Sequence, residues 1–168
     1  MLTVNEIFHS IQGESTYAGQ PCVFVRLTYC NLRCDYCDTT YSYFEGTEMS
    51  LEDVIAQVES FGCKLVEITG GEPLLQEETP ELARRLLEKG HTVLVETSGS
   101  LDISVLPAGC VRIVDFKTPS CGMADKNLWE NVAQLRRSDE VKFVVRTRED
   151  FEWSLERIAE HQLIGKCH

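Results

Sequence analysis

The chain has 168 residues, 43% of them hydrophobic and 26% charged, the make-up of one globular domain with a real core. Its formal net charge is −11 with no Lys/Arg stripe, so the surface repels phosphates and a nucleic-acid partner is not expected. No apolar run is long enough to span a bilayer and residues 1–6 carry no signal-peptide pattern, so no membrane partner and a cytoplasmic location are expected. Eight cysteines are the unusual feature, and in such a chain a close cysteine cluster points to metal or catalysis before disulfides.

In chain order, residues 3–11 read as an edge strand or loop and residues 23–28 as a strand. Ser50 is the expected N-cap of a helix over 51–60, with Leu51, Val54, Ile55 and Val58 on one face. A strand at 65–69 leads to a helix over about 80–89, with Pro80 in its first turn and Gly90 past its end. Strands at 92–97 and 111–117 follow, then a helix near 128–136, a strand at 141–146 and a helix over about 149–161. Alternating strands and helices imply an α/β fold with a mainly parallel sheet, because each parallel pair needs a crossover. The pattern gives five βα-like units in a single domain, with no repeat, linker or low-complexity tract.

The reactive residue types fall where these strands end. The cysteine cluster follows the first parallel strand, Gly70-Gly71-Glu72-Pro73 the second and Glu96-Thr97-Ser98-Gly99 the third. Asp115, Lys117, Thr118, Pro119 and Ser120 close the fourth. The C-terminal ends of parallel strands are where such folds build active sites, so one site on one face is expected. Cys30, Cys34 and Cys37 are separated by three and two residues, and short spacings of this kind let one loop wrap an iron–sulfur cluster. Three thiolates leave one iron open to a small molecule. A structural zinc ion needs a fourth ligand, which Cys22 or His9 can supply. Cys63, Cys110, Cys121 and Cys167 read as ordinary small residues, and the four histidines form no ligand set.

The cysteine spacing, the aromatic Tyr36 beside Cys37 and the Gly-Gly-Glu-Pro stretch together resemble the radical S-adenosylmethionine (SAM) superfamily. The segments 8–15, 24–27, 37–39, 67–74, 96–99, 115–120 and 140–143 are similar to the 7-carboxy-7-deazaguanine synthase family, a resemblance covering nearly the whole chain. It implies a partial (β/α)6-type radical SAM barrel with an open sheet. It also implies conversion of 6-carboxy-5,6,7,8-tetrahydropterin to 7-carboxy-7-deazaguanine with loss of ammonia, through a 5′-deoxyadenosyl radical, on the route to queuosine and related deazapurines. The implied cofactors are a [4Fe–4S] cluster on Cys30, Cys34 and Cys37, SAM, and Mg²⁺ at Thr39, with Asp38 acting from behind. The substrate falls to Gln12, Glu14, Arg26 and Thr69, and SAM to Gly71, Glu72, Glu96, Ser98, Lys117 and Ser120. Without the resemblance, Arg26 reads as a strand-end surface charge and Gln12-Gly13-Glu14 as a turn. A flavodoxin or ferredoxin reductant and a homodimer are implied as partners.

Two departures from the family stand out. Tyr29 occupies a position commonly held by Gly. The sequence given stops at His168, before the family's sixth strand and C-terminal tail, so an exposed sheet edge is expected near 141–145. The competing readings are a glycyl-radical-enzyme activase, which shares the triplet and the Gly-rich loop, and a non-enzymatic metal or electron-carrier module.

Overall fold

The computed structural model describes residues 1–168. Strands β1 (Leu2–Ile11) and β2 (Pro21–Leu27) pair antiparallel, and β3 (Thr47–Met49) pairs antiparallel to the outer side of β1. β4 (Leu65–Gly70), β5 (Thr92–Thr97), β6 (Val111–Asp115) and β7 (Glu140–Lys142) add to β2 in succession, all parallel. The result is one open, mainly parallel sheet in the order β3-β1-β2-β4-β5-β6-β7, the α/β architecture that the alternating pattern predicts. No helix is long and apolar enough to cross a membrane.

Two helices, α1 (Leu51–Ser60) and α2 (Thr79–Glu88), cover one face of this sheet. Ser50 caps α1 by accepting from the Asp53 N–H, and Gly90 takes φ +80° just beyond α2. Leu51, Val54, Ile55 and Val58 of α1 and Leu82, Ala83 and Leu86 of α2 are buried against Val23, Val25, Leu27, Val66, Ile68, Val93 and Val95. Burying each large side chain contributes about 1.5–3 kcal/mol relative to exposure, so this outer face carries most of the apolar stabilisation. Helix α3 (Arg148–Glu160) packs on a smaller cluster around Phe116 through Ile158.

Strand alternation turns the intervening residues to the other face. Its lower half is apolar, with Cys22, Leu65, Leu94, Val111 and Ile113 sealed by Phe24 and by Tyr17 from the loop after β1. Its upper half, toward the C-terminal ends of the parallel strands, carries Arg26, Glu67, Thr69, Glu96, Asp115 and Lys142 around a cavity.

Four expectations are corrected. Residues 2–11 form an interior strand paired on both sides, and the edge is β3, which is too short to show an alternating pattern. The helix expected at 128–136 is a 3-10 helix, Trp129–Gln134. There the Asn131 side chain accepts from the Ile103 N–H at 3.1 Å and donates to the Leu101 carbonyl at 2.8 Å, tying the segment to the preceding loop. The strand expected at 141–146 keeps ladder pairing only over Glu140–Lys142, and the Val144 carbonyl accepts from the Thr118 hydroxyl at 2.8 Å. The β7 edge is partly covered: His168 N–H donates to Asp139 O at 2.9 Å and Val141 N–H to His168 O at 2.8 Å, the alternation of a parallel pair.

Candidate active site

The inner face and the loops above it enclose a cavity of about 660 Å³, within the range of cofactor and ligand sites. Cys30, Cys34 and Cys37 line its rim, carried by the loop that leaves β2. That loop is fixed by its backbone: Tyr29 N–H donates to Ser42 O at 2.9 Å, Asp35 N–H to Cys121 O at 3.1 Å and Cys37 N–H to Cys34 O at 3.1 Å. The Arg33 guanidinium donates to the Cys30 carbonyl at 2.9 Å and lies 4.3 Å from the Tyr43 ring centroid, closing the loop from outside. Gly70 and Gly71 pass close beneath. A Cβ on Gly71 would meet the Tyr29 carbonyl oxygen at 2.2 Å, and one on Gly70 the Leu27 oxygen at 2.1 Å. Only glycine permits this approach.

Glu72 is fully buried and does not line the cavity. Its carboxylate accepts from the Leu74 N–H at 2.9 Å, the Thr97 hydroxyl at 2.9 Å, and the Ser98 N–H and hydroxyl at 2.7 and 2.6 Å. The side chain therefore bolts the Gly-Gly-Glu-Pro turn to the end of β5, and only the backbone of that turn is free to meet a ligand. Ser120 is likewise committed elsewhere, its hydroxyl donating to Asp150 at 2.6 Å outside the cavity. Every other residue expected at the site lines the one cavity: Gln12, Glu14, Arg26, Thr39, Thr69, Gly71, Glu96, Ser98 and Lys117.

The polar groups inside are strongly coupled. Lys142 bridges Glu14 and Glu96, at 2.8 Å from the latter, and Thr69 donates to Glu96 at 3.2 Å. Burial alone pushes the Glu96 carboxyl up, but Lys142, with Lys117 and Thr69, outweighs it and holds the group ionised. Glu67 moves the other way: burial, then Glu96, pushes it up to about 8 despite a hydrogen bond from Gln12. Asp115 is raised by burial even with Lys117 donating to it at 2.7 Å. Lys117 stays charged because Asp115 outweighs its own desolvation. Its main chain is clasped by Asn127, which accepts from its N–H at 2.8 Å and donates to its carbonyl at 2.9 Å.

This constellation has counterparts. The radical SAM superfamily profile matches residues 25–113. The 7-carboxy-7-deazaguanine synthase of Koribacter versatilis is 45% identical over 167 residues, covering 98% of this chain and 74% of the relative. That of Chlorobaculum tepidum is 41% identical over 169 residues, covering 99% and 77%. The chain belongs to the radical SAM superfamily and its 7-carboxy-7-deazaguanine synthase family. The crystal structure of QueE from Escherichia coli superposes with a TM-score of 0.78 at 26% identity, over 94% of this chain and 77% of that one. The activase and electron-carrier readings give way to this assignment.

Radical SAM membership implies a [4Fe–4S] cluster and SAM, and the residues fit both. No three His, Cys, Asp or Glu side chains converge closely enough for a single metal ion. A cubane on this triplet needs one thiolate on each of three irons, whereas a structural zinc ion needs a fourth ligand beside the three. Cys22 lies at the start of β2, fully buried in the lower cluster, and His9 stacks on Phe61, so neither is placed to complete a site with Cys30, Cys34 and Cys37. The Leu32 N–H already donates to Cys30 Sγ at 3.4 Å, the kind of contact that tunes cluster sulfurs. Sequence reasoning missed Glu67 and Lys142 as site residues. Both stand inside resemblance segments, but an acid in an apolar strand and a lysine on a short edge strand carry no local signal of an inward position.

Proposed function

We propose that the protein converts 6-carboxy-5,6,7,8-tetrahydropterin to 7-carboxy-7-deazaguanine with loss of ammonia. The observation that carries this reading is the shared cavity, with three cysteines at its rim and Gln12, Glu14, Arg26 and Thr69 along its wall and floor. When bound, the reduced cluster and SAM supply a 5′-deoxyadenosyl radical that abstracts a substrate hydrogen. The chain's own residues bind, orient and exclude water. Arg26 is half shielded by Phe8 and Tyr41, each ring centroid 5.8 Å from its guanidinium, and pairs with Glu6 at 2.8 Å. A substrate carboxylate displaces Glu6 and takes the guanidinium fork in bidentate fashion.

Glu14, Gln12 and Thr69 address the ring. Gly71 backbone, Glu96, Ser98 and Lys117 address SAM, with Glu72 and Ser120 acting behind them as positioning residues. Mg²⁺ is assigned to Thr39, whose hydroxyl now donates to Asp38 at 2.7 Å; a hard cation completed by substrate oxygens and water needs few protein ligands. Residues 1–168 are proposed as a single radical SAM core domain. A flavodoxin or ferredoxin reductant and a homodimer are carried over from the family resemblance. Anaerobic reconstitution with iron and sulfide, then incubation with SAM, reductant, Mg²⁺ and 6-carboxytetrahydropterin, is expected to give 7-carboxy-7-deazaguanine by mass spectrometry. Cys34→Ala is expected to abolish it. SAM cleavage without that product contradicts the substrate assignment.

A further inference from the structure

Glu67 is 4% exposed on the cavity floor, and no role above uses it. An acid on the inner face of a central strand is unfavourable unless something compensates its desolvation. Its Oε2 accepts from Gln12 Nε2, while Gln12 Oε1 accepts from the Glu14 N–H at 3.2 Å, which sets the orientation of the amide. The Glu67 carboxyl also faces Glu96 within hydrogen-bonding reach; burial and the like charge disfavour two carboxylates here, so without further donors the pair holds a proton between them, and Gln12 is the single donor to Glu67. Lys142 is turned to Glu96 and Glu14. Donors on a bound ligand would displace that proton and take up the acceptor capacity of Glu67 that Gln12 leaves unfilled.

The surroundings say what would fill it. Phe24 stands opposite Glu67 in the β2–β4 register, with Phe8 stacked on Phe24 at 5.0 Å and 13°. Arg26 and Thr69 lie two residues further along the same strands, about 6.6 Å nearer the cysteines. A flat apolar wall therefore has an acceptor pair at its lower end and a guanidinium at its upper end. A fused bicyclic ring bearing a carboxylate at one end and an amino-amide edge at the other matches both the length and the polarity.

We propose that Glu67 is the specificity-determining residue that reads the aminopyrimidine edge of the pterin, accepting from its ring N–H and exocyclic amino group while Gln12 holds the carboxylate in place. This rests on the pterin reading above and deepens it. It also fixes the direction of the ring: aminopyrimidine edge down, carboxylate up toward Arg26 and the cysteine rim.

The test uses the cluster-loaded protein and two non-reacting probes, 6-carboxypterin and 6-carboxylumazine, the latter with oxygen in place of the exocyclic amino group. Wild type is expected to bind 6-carboxypterin more tightly by fluorescence titration. Equal affinity overturns the proposal whether or not any variant folds. Glu67→Gln keeps the shape but replaces one acceptor with a donor. It is expected to raise KM for 6-carboxytetrahydropterin by on the order of ten- to a hundredfold, with kcat changed only a few-fold. It is also expected to erase the preference between the probes. An unchanged KM, or an equal loss for both probes, assigns Glu67 a purely structural role and overturns the proposal. Wild type that makes no 7-carboxy-7-deazaguanine refutes the underlying reading and removes the proposal with it. Wild-type turnover with the probe preference intact in Glu67→Gln overturns the proposal alone.

Discussion

Tyr29 holds φ +79°, in the left-handed region where an L side chain crowds the following carbonyl. The sequence marks it as a bulky residue in a glycine position; the reason for the glycine is visible only in the folded loop. There the Tyr29 N–H is tied to Ser42 and its carbonyl accepts from the Glu72 N–H at 2.7 Å, so the backbone cannot relax. Because 45% of Tyr29 is exposed, its ring returns little packing for the strain. Tyr29→Gly is therefore expected to stabilise the cluster-loaded protein by about 1 kcal/mol, a rise of about 2–4 °C in Tm by thermal unfolding. A fall in Tm would mean that the ring packs against more than its exposure indicates. Glu72 teaches the complementary lesson. Its motif was legible, but the division of labour, carboxylate inward and backbone toward the ligand, depends on Thr97 and Ser98 arriving from β5.

At the scale of elements, the N-terminus of α3 does more than start a helix. Thr147 and Asp150 form a reciprocal capping box, and the buried Asp150 carboxylate also accepts from the Ser120 N–H and hydroxyl and the Arg146 N–H. Burial pushes Asp150 up, but these donors outweigh it and hold the carboxyl well below the usual range. Through the 3-10 turn Pro119–Cys121, α3 thereby supports the cluster loop, where Asp35 N–H meets the Cys121 carbonyl. Asp150→Ala is expected to cost about 2–3 kcal/mol and to lower the iron retained per chain, measured by thermal unfolding and metal analysis. Unchanged iron retention would show that α3 and the cluster loop are independent. Helices α1 and α2 were legible because their caps and apolar stripes are local signals. The segment 128–136 was not, because Asn131 bonds to a loop some thirty residues away in sequence.

For the whole molecule, the decisive fact is that the sheet's two faces have opposite chemistry. The outer face is an apolar surface covered by α1 and α2; the inner face changes from apolar at the bottom to charged at the top. The gathering of chemistry at strand ends was legible, since motif positions and strand ends coincide in the sequence. The wall was not, because Glu67, Glu96 and Lys142 come together only through the strand order β4-β5-β6-β7. The open side is crossed by the loop after β1, whose Thr16 hydroxyl donates to Glu140 at 2.6 Å and whose Glu14 pairs with Lys142, joining that loop to β7 across the cavity. A loop crossing the mouth of the cavity suits a radical reaction, which must keep water and stray hydrogen donors away from the reacting carbon. The most direct test is turnover with 6-carboxytetrahydropterin deuterated on its reduced ring, with 5′-deoxyadenosine analysed by mass spectrometry. Deuterium in 5′-deoxyadenosine together with 7-carboxy-7-deazaguanine is the predicted result. Unlabelled 5′-deoxyadenosine without that product would contradict the pterin as the substrate held in this cavity.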